Sequence, residues 1–256
     1  MVPTCLTIAG SDSGGGAGIQ ADLKAFAAAG CHGTSAIVAL TAQNTRGVTA
    51  VHEVPPGFVG AELEAVYADL PPDAVKTGML FSRPVIEVVA DFLAARPGPL
   101  VVDPVMLASS GARLLEDDAV ETLVSRLFPL ATVVTPNLAE AEALAGSGSK
   151  AQLAERLVGL GAGAAIVTGG HGEPVDHLYD GERHVEITVE RHAVAATHGA
   201  GCTHSATLAA LLARGESLVD AARGAAAAAS RAVAHGLVEI GAGEGPVDVL
   251  DVRSRA

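Results

Sequence analysis

The sequence predicts an α/β fold in which a mainly parallel central sheet is flanked by helices. Short β-branched runs alternate with longer Ala- and Leu-rich segments, and several of the short runs are almost continuously apolar. Strands that are covered on both faces have this composition. A strand followed by a helix, repeated several times, implies right-handed crossovers between parallel strands.

Predicted strands and helices alternate through about the first two thirds of the sequence. The strands are Cys5–Ala9, Thr34–Thr41, Ala74–Thr77, Leu100–Val102, Thr132–Thr135 and Ala164–Thr168. The helices are Ala17–Ala29, Phe58–Leu70, Pro84–Ala95, Asp117–Leu127, Leu138–Leu144 and Gln152–Leu160. A Gly- and Ser-rich connector at positions 146–149 separates the last two helices, and Lys150 opens the second of them.

The segment Val175–Val189 has a different pattern. Val, His and Glu alternate around Asp180-Gly181, a dipeptide that favours a tight turn, so we expect an antiparallel hairpin here. Two Ala-rich helices follow, Cys202–Ala213 and Leu218–Gly236. We find no repeat and no linker, and a chain of 256 residues is expected to form one domain over positions 1–256.

The charge and the cysteines exclude several functional classes. A net charge of -13 repels the phosphates of nucleic acids and anionic membrane surfaces, so neither is an expected partner. Three cysteines without close pairs argue against a disulfide framework or a zinc site. The N-terminus has no basic region before a long apolar run. These features predict a cytoplasmic protein.

The segment Gly10–Gly18 lies between the first predicted strand and the first helix and holds five glycines in nine residues. Ligands bind beyond the carboxyl ends of strands in open α/β sheets, and glycine lets the backbone approach them closely. We therefore predict a ligand-binding loop; the alternative is a flexible turn. The segment is not a Walker A sequence and fits a dinucleotide motif poorly.

A second candidate segment, 198–203, stands directly before an apolar helix. The amides of Gly199, Ala200 and Gly201 are expected to converge there, and the helix dipole adds positive potential, which together form an anion hole. Cys202 lies at the helix N-terminus, where a thiol pKa is commonly lowered, so the side chain is a candidate base or nucleophile. The alternative is a structural cysteine in a Gly-rich helix start.

Polar residues at further strand ends are candidates for ligand contacts. Asp103 ends a buried strand, and Asn137 and Glu140 share one face of a helix start, so the three are candidates for orienting Mg²⁺. An N-cap at Asn137 with a capping box at Glu140 is the alternative. Gln43 has an amide suited to a heteroaromatic edge, and Met79 offers a polarizable surface for a ring; taken singly, a surface glutamine and a core methionine are the alternatives.

Six ordered segments carry a resemblance to a known family. They are 9–24, 41–44, 76–79, 102–106, 135–138 and 197–203, and they resemble the hydroxymethylpyrimidine/phosphomethylpyrimidine kinases of thiamine biosynthesis, within the ribokinase-like superfamily. The match extends from Ile8 to about Leu237. It implies a three-layer ribokinase-like fold with a small β flap, the use of ATP with Mg²⁺, and a homodimer.

The resemblance also implies two phosphorylations and a set of site residues. The acceptors are the alcohol of 4-amino-5-hydroxymethyl-2-methylpyrimidine and then its monophosphate, and Cys202 is the catalytic position. The substrate-binding positions are Gly10, Asp22, Gln43 and Met79. The ATP- and phosphate-binding positions are Asp103, Asn137, Thr168, Gly199, Ala200 and Gly201, with Asp103 and Glu140 at the metal.

Two departures from the family pattern leave alternatives open. Thr168 stands where a lysine often precedes Gly-Gly-His171, and Ala200 stands where Thr is common, although its backbone N–H is expected to remain available. The first rival is a pyridoxal kinase of the same superfamily. The second is a non-catalytic sensor of a pyrimidine phosphate, which the missing lysine supports.

Overall fold

The computed structural model describes residues 1–106, 115, 117–169 and 174–255. These residues form a sheet of nine strands with eight α-helices against it. The strands are β1 (Thr4–Asp12), β2 (His32–Asn44), β3 (Gly47–Glu53), β4 (Ala74–Thr77), β5 (Leu100–Val102), β6 (Val133–Val134), β7 (Ala165–Val167), β8 (Val175–Tyr179) and β9 (His184–Thr188). The helices are α1 (Gly18–Ala28), α2 (Pro56–Asp69), α3 (Arg83–Ala94), α4 (Asp117–Thr122), α5 (Leu138–Ala145), α6 (Lys150–Gly159), α7 (Ala200–Ala213) and α8 (Leu218–Ala234).

The strand order is β3-β2-β1-β4-β5-β6-β7-β8-β9. The six strands from β2 to β7 in this order pair in parallel, whereas β3, β8 and β9 pair antiparallel at the two edges. The predicted parallel sheet and the β8–β9 hairpin are therefore confirmed. Because parallel strands end at the same edge of a sheet, the polar residues at their carboxyl ends come together there.

Each face of the sheet has its own core. One core packs β-strand side chains against residues of α2 to α6, including Leu63 and Ile86. The other packs the opposite face against α1, α7 and α8, including Phe26 and Leu208. Alanines are fully buried along α7 and α8, which lets these helices lie close to each other and to the sheet. The result is the predicted three-layer arrangement.

Three local predictions are corrected. β3 is a strand that the sequence pattern did not predict. The segment predicted as one helix over Asp117–Leu127 is α-helical only to Thr122 and continues as a π-helical turn, Leu123–Leu127. Pro129 follows in a 3₁₀ turn and has no N–H to continue the α-helical pattern. The predicted helix at Cys202 begins two residues earlier, at Ala200.

Within the described residues, no helix has both the length and the apolar character needed to cross a membrane.

Candidate active site

The Gly-rich loop after β1 wraps around the carboxylate of Asp12. Oδ1 accepts the N–H of Gly14 at 2.7 Å, and Oδ2 accepts those of Gly16 at 3.0 Å and Ala17 at 2.9 Å. Burial alone would raise the pKa of Asp12, but hydrogen bonds from His198 and the loop amides outweigh burial and lower that pKa. Asp12 is therefore ionised at neutral pH and holds the loop in shape.

The loop touches the turn that precedes α7. His198 Nε2 lies 2.9 Å from Asp12 Oδ2, although the two residues are 186 positions apart. Gly199 has φ +86°, and a Cβ on it would collide with the carbonyl oxygen of Gly16, so glycine is required at this close approach. The two Gly-rich turns predicted from the sequence thus meet in one place. Asp12 and His198, which join them, are not among the residues predicted from the sequence.

The start of α7 presents two amide groups without protein acceptors. Across the described residues, the N–H groups of Gly201 and Cys202 donate to no backbone or side-chain acceptor, and a Cβ on Gly201 would face open space. The N–H of Ala200 instead donates to the carbonyl of Thr197 at 3.0 Å. The expectation that the Ala200 amide is available is therefore wrong, because that amide closes the turn before the helix.

Cys202 is partly buried in the first turn of α7 and is a neutral thiol at physiological pH. Burial raises its pKa to about 12. Lys76 nearby opposes this shift, whereas the carboxylates of Asp22 and Asp103 add to it. The expectation of a lowered thiol pKa is wrong for this reason: desolvation and two acidic neighbours outweigh the helix N-terminus and the lysine.

A fully buried ion pair lies beneath Cys202. Lys76 Nζ is 2.9 Å from both carboxylate oxygens of Asp22, both side chains are 0% exposed, and the hydroxyl of Thr7 donates to the same carboxylate at 2.6 Å. Burial lowers the pKa of Lys76, but the charge of Asp22 outweighs it and raises that pKa, so the lysine is protonated. Asp22 has no exposed surface. The prediction that it lines the substrate pocket is corrected: it supports the floor of the site.

Gln43 and Met79 lie on either side of the β1 loop region. Strands β1 and β2 are irregular here: the register shifts between Ala9 and Ser11 in β1 and beside Gln43 in β2. Such bulges change the direction of a side chain. A Cβ on Gly10 would collide with the Met79 methyl group, so the glycine provides the space that Met79 occupies. The Gln43 amide lies 3.3 Å from His198 Nε2, and both residues line a cavity of about 360 Å³.

Asp103, Asn137 and Glu140 come together at the carboxyl ends of β5 and β6. Asp103 is 5% exposed and accepts the hydroxyl of Ser205 at 2.8 Å. Asn137 and Glu140 form the capping box of α5, with both hydrogen bonds at 3.0 Å. Burial, and then the nearby Asp103 carboxylate, raise the pKa of Glu140 to about 8. The capping interpretation is therefore correct, and Glu140 is mostly protonated at neutral pH.

Thr168 lies beside this acidic pair. It follows β7, bridges to Asn137, and its N–H donates to the carbonyl of Pro136 at 3.0 Å. His171, which ends the segment compared with the family pattern, lies outside the described residues.

A second groove of about 420 Å³ lies between β9 and α8 and is lined by none of the predicted site residues.

The arrangement divides into two halves around the start of α7. An acceptor half holds Gln43, Met79 and the Gly-rich loop, and an acidic half holds Asp103, Glu140 and Thr168. The free amides at the start of α7 supply positive potential between them, and the buried Lys76–Asp22 ion pair lies below. Such a site suits the transfer of an anionic group from a charged donor to a small ring.

Comparison with known proteins agrees with this chemistry. The family described as phosphomethylpyrimidine kinase matches residues 12–248. A hydroxymethylpyrimidine/phosphomethylpyrimidine kinase from Rhizobium meliloti is 49% identical over 257 residues, which cover 96% of this chain and 97% of that protein.

Two solved structures are also similar. An ADP complex of Bacillus subtilis pyridoxal kinase has a TM-score of 0.89 and 34% identity, covering 99% of this chain and 100% of the other. The phosphomethylpyrimidine kinase of Clostridium difficile has a TM-score of 0.78 and 40% identity, covering 88% and 96%. The fold is thus the ribokinase-like one, and the match over nearly all of its length shows that the chain belongs to the phosphomethylpyrimidine kinase family.

Proposed function

We propose that this protein transfers the terminal phosphoryl group of ATP to the hydroxymethyl group of 4-amino-5-hydroxymethyl-2-methylpyrimidine, and then to the resulting monophosphate. The observation that carries the proposal is the contact between the Gly-rich loop and the start of α7, where the amides of Gly201 and Cys202 have no protein acceptor. Phosphoryl transfer depends on positioning and on stabilisation of charge, and this turn provides both.

The acceptor ring is placed between Gln43 and Met79. The Gln43 amide forms hydrogen bonds with the polar edge of the pyrimidine, and Met79 packs against the face of the ring. The hydroxymethyl group then points toward Cys202 and the amides of α7. In the transfer step the acceptor oxygen bonds to the γ-phosphorus while the bond to the β–γ bridging oxygen breaks. The alcohol proton passes to an oxygen of the transferred phosphoryl group and from there to solvent, and ADP leaves.

The acidic half of the site fits Mg²⁺ bound with ATP. Mg²⁺ takes one or two carboxylates together with waters and substrate phosphates, and Asp103 and Glu140 provide two. Burial, and then the Asp103 carboxylate, raise the pKa of Glu140 to about 8, and a divalent cation held by the two carboxylates would favour the ionised form of Glu140. When bound, the ion neutralises phosphate charge. Asn137 and Thr168 line the same edge of the sheet, on the nucleotide side.

Cys202 orients the acceptor alcohol as a neutral thiol. Its pKa of about 12 leaves almost no thiolate at pH 7. In a loose phosphoryl-transfer transition state the alcohol needs little help from a base. The thiol therefore holds the hydroxyl group in line with the γ-phosphoryl group. It does not remove the proton of the alcohol.

Product analysis tests the proposed function. Incubation with the pyrimidine alcohol, ATP and Mg²⁺ should yield first the monophosphate and then the diphosphate by mass spectrometry. Cys202→Ala should slow the alcohol step more than the phosphate step, by less than the 10² to 10⁴-fold typical of a lost general base. Consumption of ATP without a phosphorylated pyrimidine would contradict the proposal, and so would binding without turnover, the behaviour of a sensor.

Pyridoxal kinase activity is the second candidate, because the Bacillus subtilis pyridoxal kinase has the higher TM-score of the two structures, 0.89 against 0.78. The sequence relation to pyrimidine kinases is stronger, at 49% identity. Steady-state competition separates the two: a higher kcat/KM for pyridoxal than for the pyrimidine alcohol would reverse the order.

We also propose that the chain acts as one domain, in the cytoplasm, and as a homodimer. Cys5, Cys31 and Cys202 are all free thiols, which suits a reducing compartment. Leu40 on β2 is 47% exposed and Phe58 on α2 is 60% exposed, so apolar surface is available for a second copy.

A further inference from the structure

The carboxylate of Asp12 is linked through His198 to the amide of Gln43. Asp12 Oδ2 lies 2.9 Å from His198 Nε2, and the same nitrogen lies 3.3 Å from the terminal amide of Gln43. We propose that Asp12 is a positioning residue that fixes, through His198, which end of the Gln43 amide faces which side of the substrate cavity. The proposal rests on the proposed role of Gln43 in reading the pyrimidine.

The proton on His198 Nε2 is determined by its partner. An ionised carboxylate only accepts hydrogen bonds, so a nitrogen 2.9 Å from Asp12 Oδ2 must carry a proton and donate it. Hydrogen bonds to the backbone amides of the Gly-rich loop keep Asp12 ionised. His198 Nε2 therefore has no lone pair to offer. The Gln43 atom placed 3.3 Å from it is Nε2, which sets one donor against another. Rotation of the amide, which brings the acceptor Oε1 to this side to share the Nε2–H with Asp12, is therefore favoured.

The other end of the same amide is compatible with this rotation. The hydroxyl of Thr41 has one proton and lies 2.9 Å from the carbonyl of Ser11 and 3.1 Å from Oε1 of Gln43. If the proton is on the shorter bond to Ser11, the hydroxyl can still accept, and the NH₂ group of the rotated amide is its partner at this end. Rotation of the amide by 180° exchanges its two ends without moving its neighbours. His198 selects the orientation with Oε1 toward His198 and Nε2 toward Thr41, and Thr41 accommodates it.

This orientation has a consequence for recognition. After these contacts the amide keeps one N–H and one carbonyl lone pair for a ligand, in a fixed order. A 4-aminopyrimidine edge carries a ring nitrogen acceptor next to an amino donor, so it pairs with the amide in one direction only. The reversed amide would set donor against donor and acceptor against acceptor, and buried polar groups left unpaired discriminate strongly between ligands.

Nitrogen-15 NMR tests the proton placement without any turnover. In a two-bond ¹⁵N–¹H correlation spectrum, His198 Nε2 should be a protonated nitrogen, and comparison with His198→Gln assigns its signals. A non-protonated Nε2 would overturn the proposal, because it would accept from the Gln43 NH₂ group. This result is independent of the proposed function: if the pyrimidine is not a substrate, the protonation state is still measured.

Kinetics of matched variants test the effect on recognition. His198→Gln keeps an N–H donor, whereas His198→Phe keeps a ring without one. We expect KM for the pyrimidine to rise about tenfold or more in His198→Phe but about threefold or less in His198→Gln, with KM for ATP unchanged in both. Equal KM values for the pyrimidine in the two variants would overturn the proposal.

The role of Asp12 is tested by substitution, with a second aspartate of similar local hydrogen bonding, Asp180, as the control. Asp12→Asn should raise KM for the pyrimidine. It should also reduce the selectivity for the pyrimidine over pyridoxal, measured as the ratio of their kcat/KM values. Asp180 also binds two backbone amides of its own turn, at Glu182 and Arg183, in the distant β8–β9 hairpin. Asp180→Asn should leave both quantities unchanged. If Asp12→Asn does not fold, the His198 pair still decides the question.

Discussion

The Cys202 thiol is controlled by its immediate neighbours, and its titration is measurable. Burial and two carboxylates raise its pKa to about 12, so we expect slow alkylation at neutral pH and a rate that is still rising at pH 10. Peptide mass spectrometry of iodoacetamide-treated protein over pH 6 to 11 measures this rate. Cys31 is the internal comparison, since its pKa is raised as well. An inflection near pH 7 would show a thiolate and restore the role of a base.

Lys76 and Asp22 form a pair in which neither member is stable alone. Lys76→Met leaves a buried carboxylate without its cation, and breaking such a pair costs about 3–5 kcal/mol of unfolding free energy. Replacing both residues with apolar ones, Lys76→Met with Asp22→Leu, should recover much of this loss. Urea unfolding of the single and double variants measures the coupling. A double variant as unstable as the sum of the single ones would contradict the assigned pair.

Glu140 gives the fold a pH dependence with a definite sign. Its pKa is raised in the folded protein, to about 8, above the value of about 4.3 in unfolded chains, so the folded state holds the proton more strongly. Its stabilising contribution is complete below about pH 4.3 and is lost as pH rises through about 8. Unfolding free energies in chelated buffer should therefore fall less steeply with pH in Glu140→Gln, which retains a capping-box acceptor.

At the scale of elements, the turn before α7 depends on a single glycine. Gly199 combines φ +86° with a backbone approach to Gly16, so Gly199→Ala should lose stability through both strain and collision. Gly215 has φ +83° and open space around it, so Gly215→Ala measures strain alone, about 1–2 kcal/mol. Thermal unfolding of the two variants separates the terms. Equal losses would mean that the loop moves away from the new methyl group.

Interior elements were predictable from sequence because burial dominates them. β4 and β5 occur at the predicted positions, Ala74–Thr77 and Leu100–Val102, since every residue in them is buried. β3 was missed because its seven residues are all exposed or half-buried and no apolar alternation marks it. The sequence likewise did not reveal that Asp12 meets His198, because no local pattern shows a pairing across 186 positions.

At the scale of the whole molecule, the proposed homodimer predicts a change in mass. Multi-angle light scattering should give twice the chain mass for the wild type, and Leu40→Glu should shift it toward the single chain, because a charge would enter an apolar interface. Leu160, also exposed, lies after α6, and Leu160→Glu serves as the control. A single-chain mass for the wild type would reject the dimer.

The same scale explains why the candidate site was only partly predictable. Motifs located Gln43, Met79, Asp103 and Cys202 near the carboxyl edge of the sheet, but the state of each group depends on neighbours from other elements. The Cys202 thiol, for example, lies near residues of α1, β4 and the end of β5, and their charges and its burial reverse the expected direction of its pKa.

The contact between Asp12 and His198 also makes the order of synthesis matter. The ribosome releases the Gly-rich loop early, but the residues that complete it emerge 186 positions later. A nascent chain that has not yet reached His198 therefore lacks this contact and the cavity wall that His198 forms beside Gln43.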